Sequence, residues 1–143
     1  MNSAEAGRDP ERVLRVLHVD DDPMNLRVVQ EILTAFGHVA TTASCGREAL
    51  EHLGAERFDV VLMDIHMPDM TGIEVVGRLR ASLGEERNTP VIALTADVLS
   101  RAPQEYAALG FDDFVAKPIL VSGLMASVRR AAAGAAPRFS RAS

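Results

Sequence analysis

Short apolar runs rich in β-branched residues alternate with helical patterns five times along this chain, and that alternation constrains its fold more than any other feature. The runs are 13–19 (VLRVLHV), 38–43, 58–63 (FDVVLM), 90–94 (PVIAL) and 113–116. Between them, apolar residues recur at spacings of three and four, as helices require. The sets are Leu26, Val29, Leu33 and Phe36, then Ile73, Val76, Leu79 and Leu83, and finally Val121, Leu124, Met125 and Val128. Arg47 to Leu53 and Tyr106 to Leu109 read as two shorter helices, closed by Gly54 and Gly110, and Gly37 stops the first helix. Five strand-then-helix units predict an α/β fold with a doubly wound parallel sheet of five strands and five helices. Right-handed crossovers leave few topologies, and the flavodoxin-like order 2-1-3-4-5 is the usual one for five strands. The threonine-containing second strand belongs at the edge. Pro103 belongs in the first turn of the fourth helix, which puts its start near Ala102 and leaves 96–102 as a long loop.

A chain of 143 residues suffices for one domain without disulfide or structural metal. Its single cysteine, Cys45, excludes an internal disulfide and a cysteine-built zinc site, and reads as a small packed residue. The first residues lack an apolar secretory core, and no run approaches a membrane span. The net charge of -5, with no basic tract longer than Arg129-Arg130, argues against direct nucleic-acid contact. These features point to the cytoplasm, with no membrane partner and a monomer or weak dimer. Residues 1–11 and 133–143 read as tails around a domain at 12–132.

In a parallel sheet of this kind, ligands bind beyond the carboxyl ends of the strands. Those ends carry Asp20-Asp21-Asp22, Asp64, Thr95-Ala96 and Lys117-Pro118. Asp20, Asp21 and Asp64 would crowd together and oppose one another's ionisation. A divalent cation resolves the conflict, and an all-oxygen donor set selects a hard ion such as Mg2+. Asp22, followed by Pro23 and a helical pattern, reads as a helix N-cap instead. Lys117 is the only lysine among 15 basic residues, which suggests a place where a compact ammonium fits and a guanidinium fork does not. A carboxylate can attack phosphorus and form an aspartyl phosphate. Phosphoryl transfer then requires three equatorial oxygens to be neutralised. Mg2+, Lys117, and Thr95 with a backbone amide supply that inventory. No Gly-rich phosphate loop is present, so the phosphoryl group must come from another molecule.

The segments VDDDPMN (19–25), LMDIHMPDMTG (62–72), ALTA (93–96) and DDFVAKP (112–118) resemble, in order and spacing, the receiver domain of two-component response regulators. The resemblance spans roughly residues 12–132. It implies a phosphorelay switch with Asp64 as phosphoacceptor, taking its phosphoryl group from a histidine kinase or histidine phosphotransfer protein and acting on a downstream protein partner. It implies Mg2+ bound directly by Asp21 and Asp64, by Asp20 through water, and by the backbone carbonyl of His66. It implies Thr95 as switch hydroxyl, Lys117 as phosphate-binding ammonium, and a Lys117-Pro118 bond that is often cis. Such a domain is not an enzyme, promoting only its own phosphorylation and slow dephosphorylation.

Phe114 stands where the family carries a switching aromatic residue, and it reads either as core or as a partly exposed rotor. His66 reads as a surface side chain tuning access. His18 reads as a neutral, hydrogen-bonded core histidine, while His38 and His52 show no pattern. Two other functions deserve comparison. A haloacid-dehalogenase-type phosphohydrolase would want D-x-D-x-[TV] after the first strand, and here Met24 occupies the last position. A degenerate receiver would lack an acid, the hydroxyl or the lysine, and all are present. The chain reads as a single-domain regulator or as the receiver of a hybrid histidine kinase, and the FDDFVAKP ending leans to the latter.

Overall fold

The computed structural model describes residues 12–97 and 101–134. The expected tail at 1–11, most of that at 133–143, and the middle of the expected 96–102 loop lie outside the described residues. Five strands, β1 (Arg15–Val19), β2 (Val39–Ala43), β3 (Val60–Asp64), β4 (Val91–Thr95) and β5 (Asp113–Ala116), form one sheet in the order β2-β1-β3-β4-β5. Every pairing is parallel. The helices are α1 (Pro23–Ala35), α2 (Gly46–Ala55), α3 (Gly72–Arg80), α4 (Pro103–Leu109) and α5 (Val121–Ala132).

Strand alternation divides the core in two. Leu17, Val19, Val61, Met63, Val91 and Ala93 face α2, α3 and α4, meeting Leu53, Val76, Leu79 and Tyr106. Val16, Val60, Leu62, Ile92 and Leu94 face α1 and α5, meeting Val29, Leu33, Leu124 and Val128. β3 and β4 are buried throughout, as central strands covered on both faces must be.

Several local expectations need correction. The helix α1 ends at Ala35, so Phe36 is its half-exposed cap, under the Arg129 guanidinium, rather than core. The helix α2 runs through Gly54 to Ala55, because nothing at Gly54 requires a left-handed turn. The helix α3 stops at Arg80, which leaves Leu83 almost wholly exposed. A 3-10 turn at Glu85–Asn88 then leads to β4. Arg80 stitches that connection: its guanidinium donates to the carbonyls of Gly110, Arg87 and Thr89 and to Asp112. Val121 is exposed, so the inward face of α5 begins at Leu124. Pro103 does open α4, with Ala102 as N-cap, and Gly110 closes it at φ 108°, a backbone geometry that favours glycine.

Candidate functional site

The carboxyl end of the sheet gathers most of the polar side chains singled out from the sequence. Each of Asp20, Asp21 and Asp64 offers a carboxylate oxygen, and these lie within 4.8 Å of one another. Asp20 and Asp64 are buried, and Asp21 is exposed. Adjacency of β1 and β3 causes this convergence, since Val19 pairs with Met63 one residue before each strand's acid. Lys117 enters from the end of β5, at the cis Lys117-Pro118 peptide. Its Nζ donates to Asp20 Oδ2 and Asp64 Oδ1, each at 3.2 Å.

The β1–α1 junction is built around Asp20 and Asp22. Asp22 Oδ1 accepts the Met24 amide at 2.9 Å and caps α1, with Pro23 at the first helical position. Asp20 Oδ1 accepts the Asp22 amide at 2.9 Å, and its Oδ2 accepts Asn25 Nδ2 at 3.2 Å. Sequence reasoning passed over Asn25. The signal was its place in the first turn of α1, five residues beyond the buried acid. After β3, the His66 amide donates to Asp64 Oδ1 at 3.2 Å. Gly72 makes this loop possible, because a Cβ there would meet the Asp64 carbonyl oxygen at 2.3 Å. Asp69 from the same loop accepts the Gly46 amide at 3.2 Å and serves the start of α2, whose own N-cap, the half-buried Cys45, makes no side-chain bond.

Burial pushes the Asp64 carboxyl up, and the charge of Asp20 adds to the effect. Lys117 and the His66 amide offset this only in part, leaving the pKa at about 6. Burial by itself would lower the Lys117 pKa, but the carboxylates of Asp20 and Asp64 outweigh it and hold the ammonium above its usual value.

Thr95 is buried at the end of β4, one residue past Leu94, the register partner of Asp64. Its Oγ1 accepts the Asp97 amide at 3.0 Å. Phe114 is half-buried and stacks on Tyr106 with centroids 5.5 Å apart and planes 12° apart. Phe114 therefore leans on a second ring, from α4. The His66 side chain is exposed. His18 is buried, but neither ring nitrogen has a partner among the described residues, which corrects the expectation of a hydrogen-bonded core histidine. His38, which showed no pattern, is buried and accepts the Leu14 amide on Nδ1 at 3.1 Å.

Comparison with known proteins places the chain that carries this site. The sequence model of the response regulator receiver domain matches residues 16–129. The chain belongs to the response regulator receiver family. It is 37% identical over 121 residues to the aerobic respiration control sensor protein ArcB of Escherichia coli (strain K12), covering 85% of this chain and 15% of that protein. Sensor protein GacS of Pseudomonas syringae pv. syringae is 37% identical over 110 residues, covering 76% of this chain and 12% of that protein. The receiver thus spans a small fraction of the curated sensor proteins it matches.

Among solved structures, chemotaxis protein CheY4 of Vibrio cholerae superposes with a TM-score of 0.77 at 33% identity, covering 84% of this chain and 99% of that one. The receiver domain of sensor histidine kinase PA1611 from Pseudomonas aeruginosa PAO1 superposes with a TM-score of 0.76 at 30% identity, covering 85% and 98%. That receiver holds a magnesium ion in its active-site cleft. Membership makes this chain a phosphoacceptor signalling module. No helix among the described residues is long and apolar enough to cross a membrane.

Proposed function

We propose that Asp64 is the phosphoacceptor of this receiver, working with Mg2+, Lys117 and Thr95 in a unit that extends over residues 12–132. The observation that carries the reading is the ammonium of Lys117, 3.2 Å from both Asp20 and Asp64. It marks the place where an anionic group on Asp64 would be received.

The donor set suits a hard divalent ion: three carboxylates within 4.8 Å, with neither sulfur nor imidazole among them. Asp21 and Asp64 would hold Mg2+ directly and Asp20 through water, with the His66 carbonyl as a further ligand. When bound, the ion neutralises the crowded acids and one phosphoryl oxygen. An oxygen of ionised Asp64 attacks the phosphorus of a phosphohistidine. The new P–O bond forms as the P–N bond breaks, and the electron pair leaves with the imidazole. Lys117 turns to a second phosphoryl oxygen. The Thr95 hydroxyl leaves the Asp97 amide and reaches a third. The vacancy behind Thr95 is what Phe114 then fills, drawing on its stack with Tyr106 and altering the face of α4 and β5 seen by a downstream partner. Phenylalanine brings no hydroxyl to that face, so the output contact is one of shape.

The donor is a histidine kinase or histidine phosphotransfer protein. Exposed apolar residues Met24 and Val28 on α1, with Leu120 and Val121 where α5 begins, support docking of such a partner beside the site. The chain's own chemistry stops at phosphorylation and slow dephosphorylation of Asp64, in the cytoplasm and as a monomer or weak dimer. Phosphotransfer profiling tests the reading. A phosphorylated histidine phosphotransfer domain, mixed with the chain and Mg2+, should lose its label to wild type and keep it with Asp64→Asn. Equal transfer to both would contradict the assignment.

A further inference from the structure

His18 lies against the site and has no part in the chemistry above. It sits on β1 two residues before Asp20, so strand alternation puts both side chains on one face of the sheet. Its ring is fully buried, and neither nitrogen has a hydrogen-bond partner among the described residues. Nε2 stands 3.9 Å from Asp20 Oδ2, just beyond hydrogen-bond reach. Buried polar groups are nearly always satisfied, so an idle one points to a second state in which it bonds. An imidazole always carries at least one N–H donor.

The oxygen it faces is about to lose a partner. Asp20 Oδ2 accepts Asn25 Nδ2 and Lys117 Nζ, each at 3.2 Å. The lysine bond is shared, because the same ammonium also serves Asp64. Once Asp64 carries a phosphoryl group, Lys117 turns to the phosphoryl oxygens, and Asp20 must keep its orientation without it. We propose that His18 is a positioning residue whose Nε2–H closes onto Asp20 Oδ2 in the phosphorylated state, replacing the bond that Lys117 gives up. The closure needs a movement of about 1 Å. The proposal rests on the reading of Asp64 as phosphoacceptor.

Two measurements on the full chain test it. The first is a long-range proton–nitrogen correlation spectrum of histidine-labelled protein, alone, with Mg2+, and with Mg2+ plus beryllofluoride as an unreactive phosphoryl mimic. The His18 Nε2–H resonance should move downfield when beryllofluoride binds. The second compares variants. His18→Leu removes the donor while keeping apolar volume, and His18→Gln returns an N–H near the position of Nε2. His18→Leu should keep or raise Tm, yet lose roughly tenfold in beryllofluoride affinity and in phosphorylation rate with acetyl phosphate. His18→Gln should recover most of that loss. A purely structural histidine would instead lower Tm and leave affinity unchanged. An unmoved His18 resonance in protein whose Phe114 signals report beryllofluoride binding overturns the proposal, as does wild-type affinity in His18→Leu. Wild-type protein that takes up neither beryllofluoride nor phosphate sinks the Asp64 reading itself, and this one with it.

Discussion

Replacing Asp64 with asparagine should make the metal-free protein more stable while ending its function. Asp64 is 4% exposed, and burial with the charge of Asp20 raises its carboxyl from 3.8 to about 6. A displacement of that size corresponds to about 3 kcal/mol against the ionised form in the folded state. The folded pKa lies above the unfolded one, so the cost is absent below 3.8, grows between there and about 6, and is complete at higher pH. Asparagine keeps the shape and discards the charge. In EDTA at pH 7.5, Asp64→Asn should therefore gain up to about 3 kcal/mol, or roughly 10 °C in Tm. At pH 4 the two proteins should nearly coincide, because wild-type Asp64 is then mostly protonated. Added Mg2+ should stabilise wild type at pH 7.5 and Asp64→Asn far less, closing the gap from the other side. Calorimetric or fluorescence melts at both pH values, with EDTA and with Mg2+, decide the matter. An Asp64→Asn protein less stable than wild type in EDTA at pH 7.5, or a difference indifferent to pH, would show that Asp64 carries no such burial cost.

Lys117→Arg keeps the charge but exchanges a point donor for a planar fork that prefers two parallel bonds. It should fold, and at most take up phosphate, but fail to couple it to Thr95 and Phe114, as partner binding measured beside phosphate uptake would show; wild-type values in both would make the lone lysine an accident of composition. Gly72→Ala puts a Cβ 2.3 Å from the Asp64 carbonyl oxygen, so it should cost roughly 1–3 kcal/mol in denaturant melts and slow phosphorylation together. Arg80→Ala orphans the carbonyls of Gly110, Arg87 and Thr89. It should destabilise by about 2–3 kcal/mol in urea without changing the phosphorylation rate of the folded protein.

The fold was legible because both sides of each helix–strand alternation are written in apolar periodicity, and β5 (Asp113–Ala116) even has the bounds read from sequence. Helix ends were less legible. Phe36 and Leu83 continue the apolar spacing of their helices, yet these end at Ala35 and Arg80; Gly37, at φ 86°, marks the first end in the sequence, whereas no such residue marks the second. The acids and Lys117 were found because each directly follows a recognisable strand. Asn25 and Asp69 were missed for the opposite reason. One reaches back to Asp20 from inside a helix, and the other caps α2 from a loop 23 residues further along the chain. The unsatisfied ring of His18 was invisible from sequence, since a histidine in a strand carries no mark of whether its nitrogens find partners.

Everything proposed for this site depends on Asp64 accepting the phosphoryl group. The most direct test of this is to phosphorylate the chain with acetyl phosphate and Mg2+, reduce the product with borohydride, and sequence the peptides by mass spectrometry. An acyl phosphate reduces to an alcohol, so homoserine is expected at position 64 and nowhere else, appearing only when Mg2+ is present. Homoserine at Asp20 or Asp21, or phosphate that survives at another residue in Asp64→Asn, would contradict it.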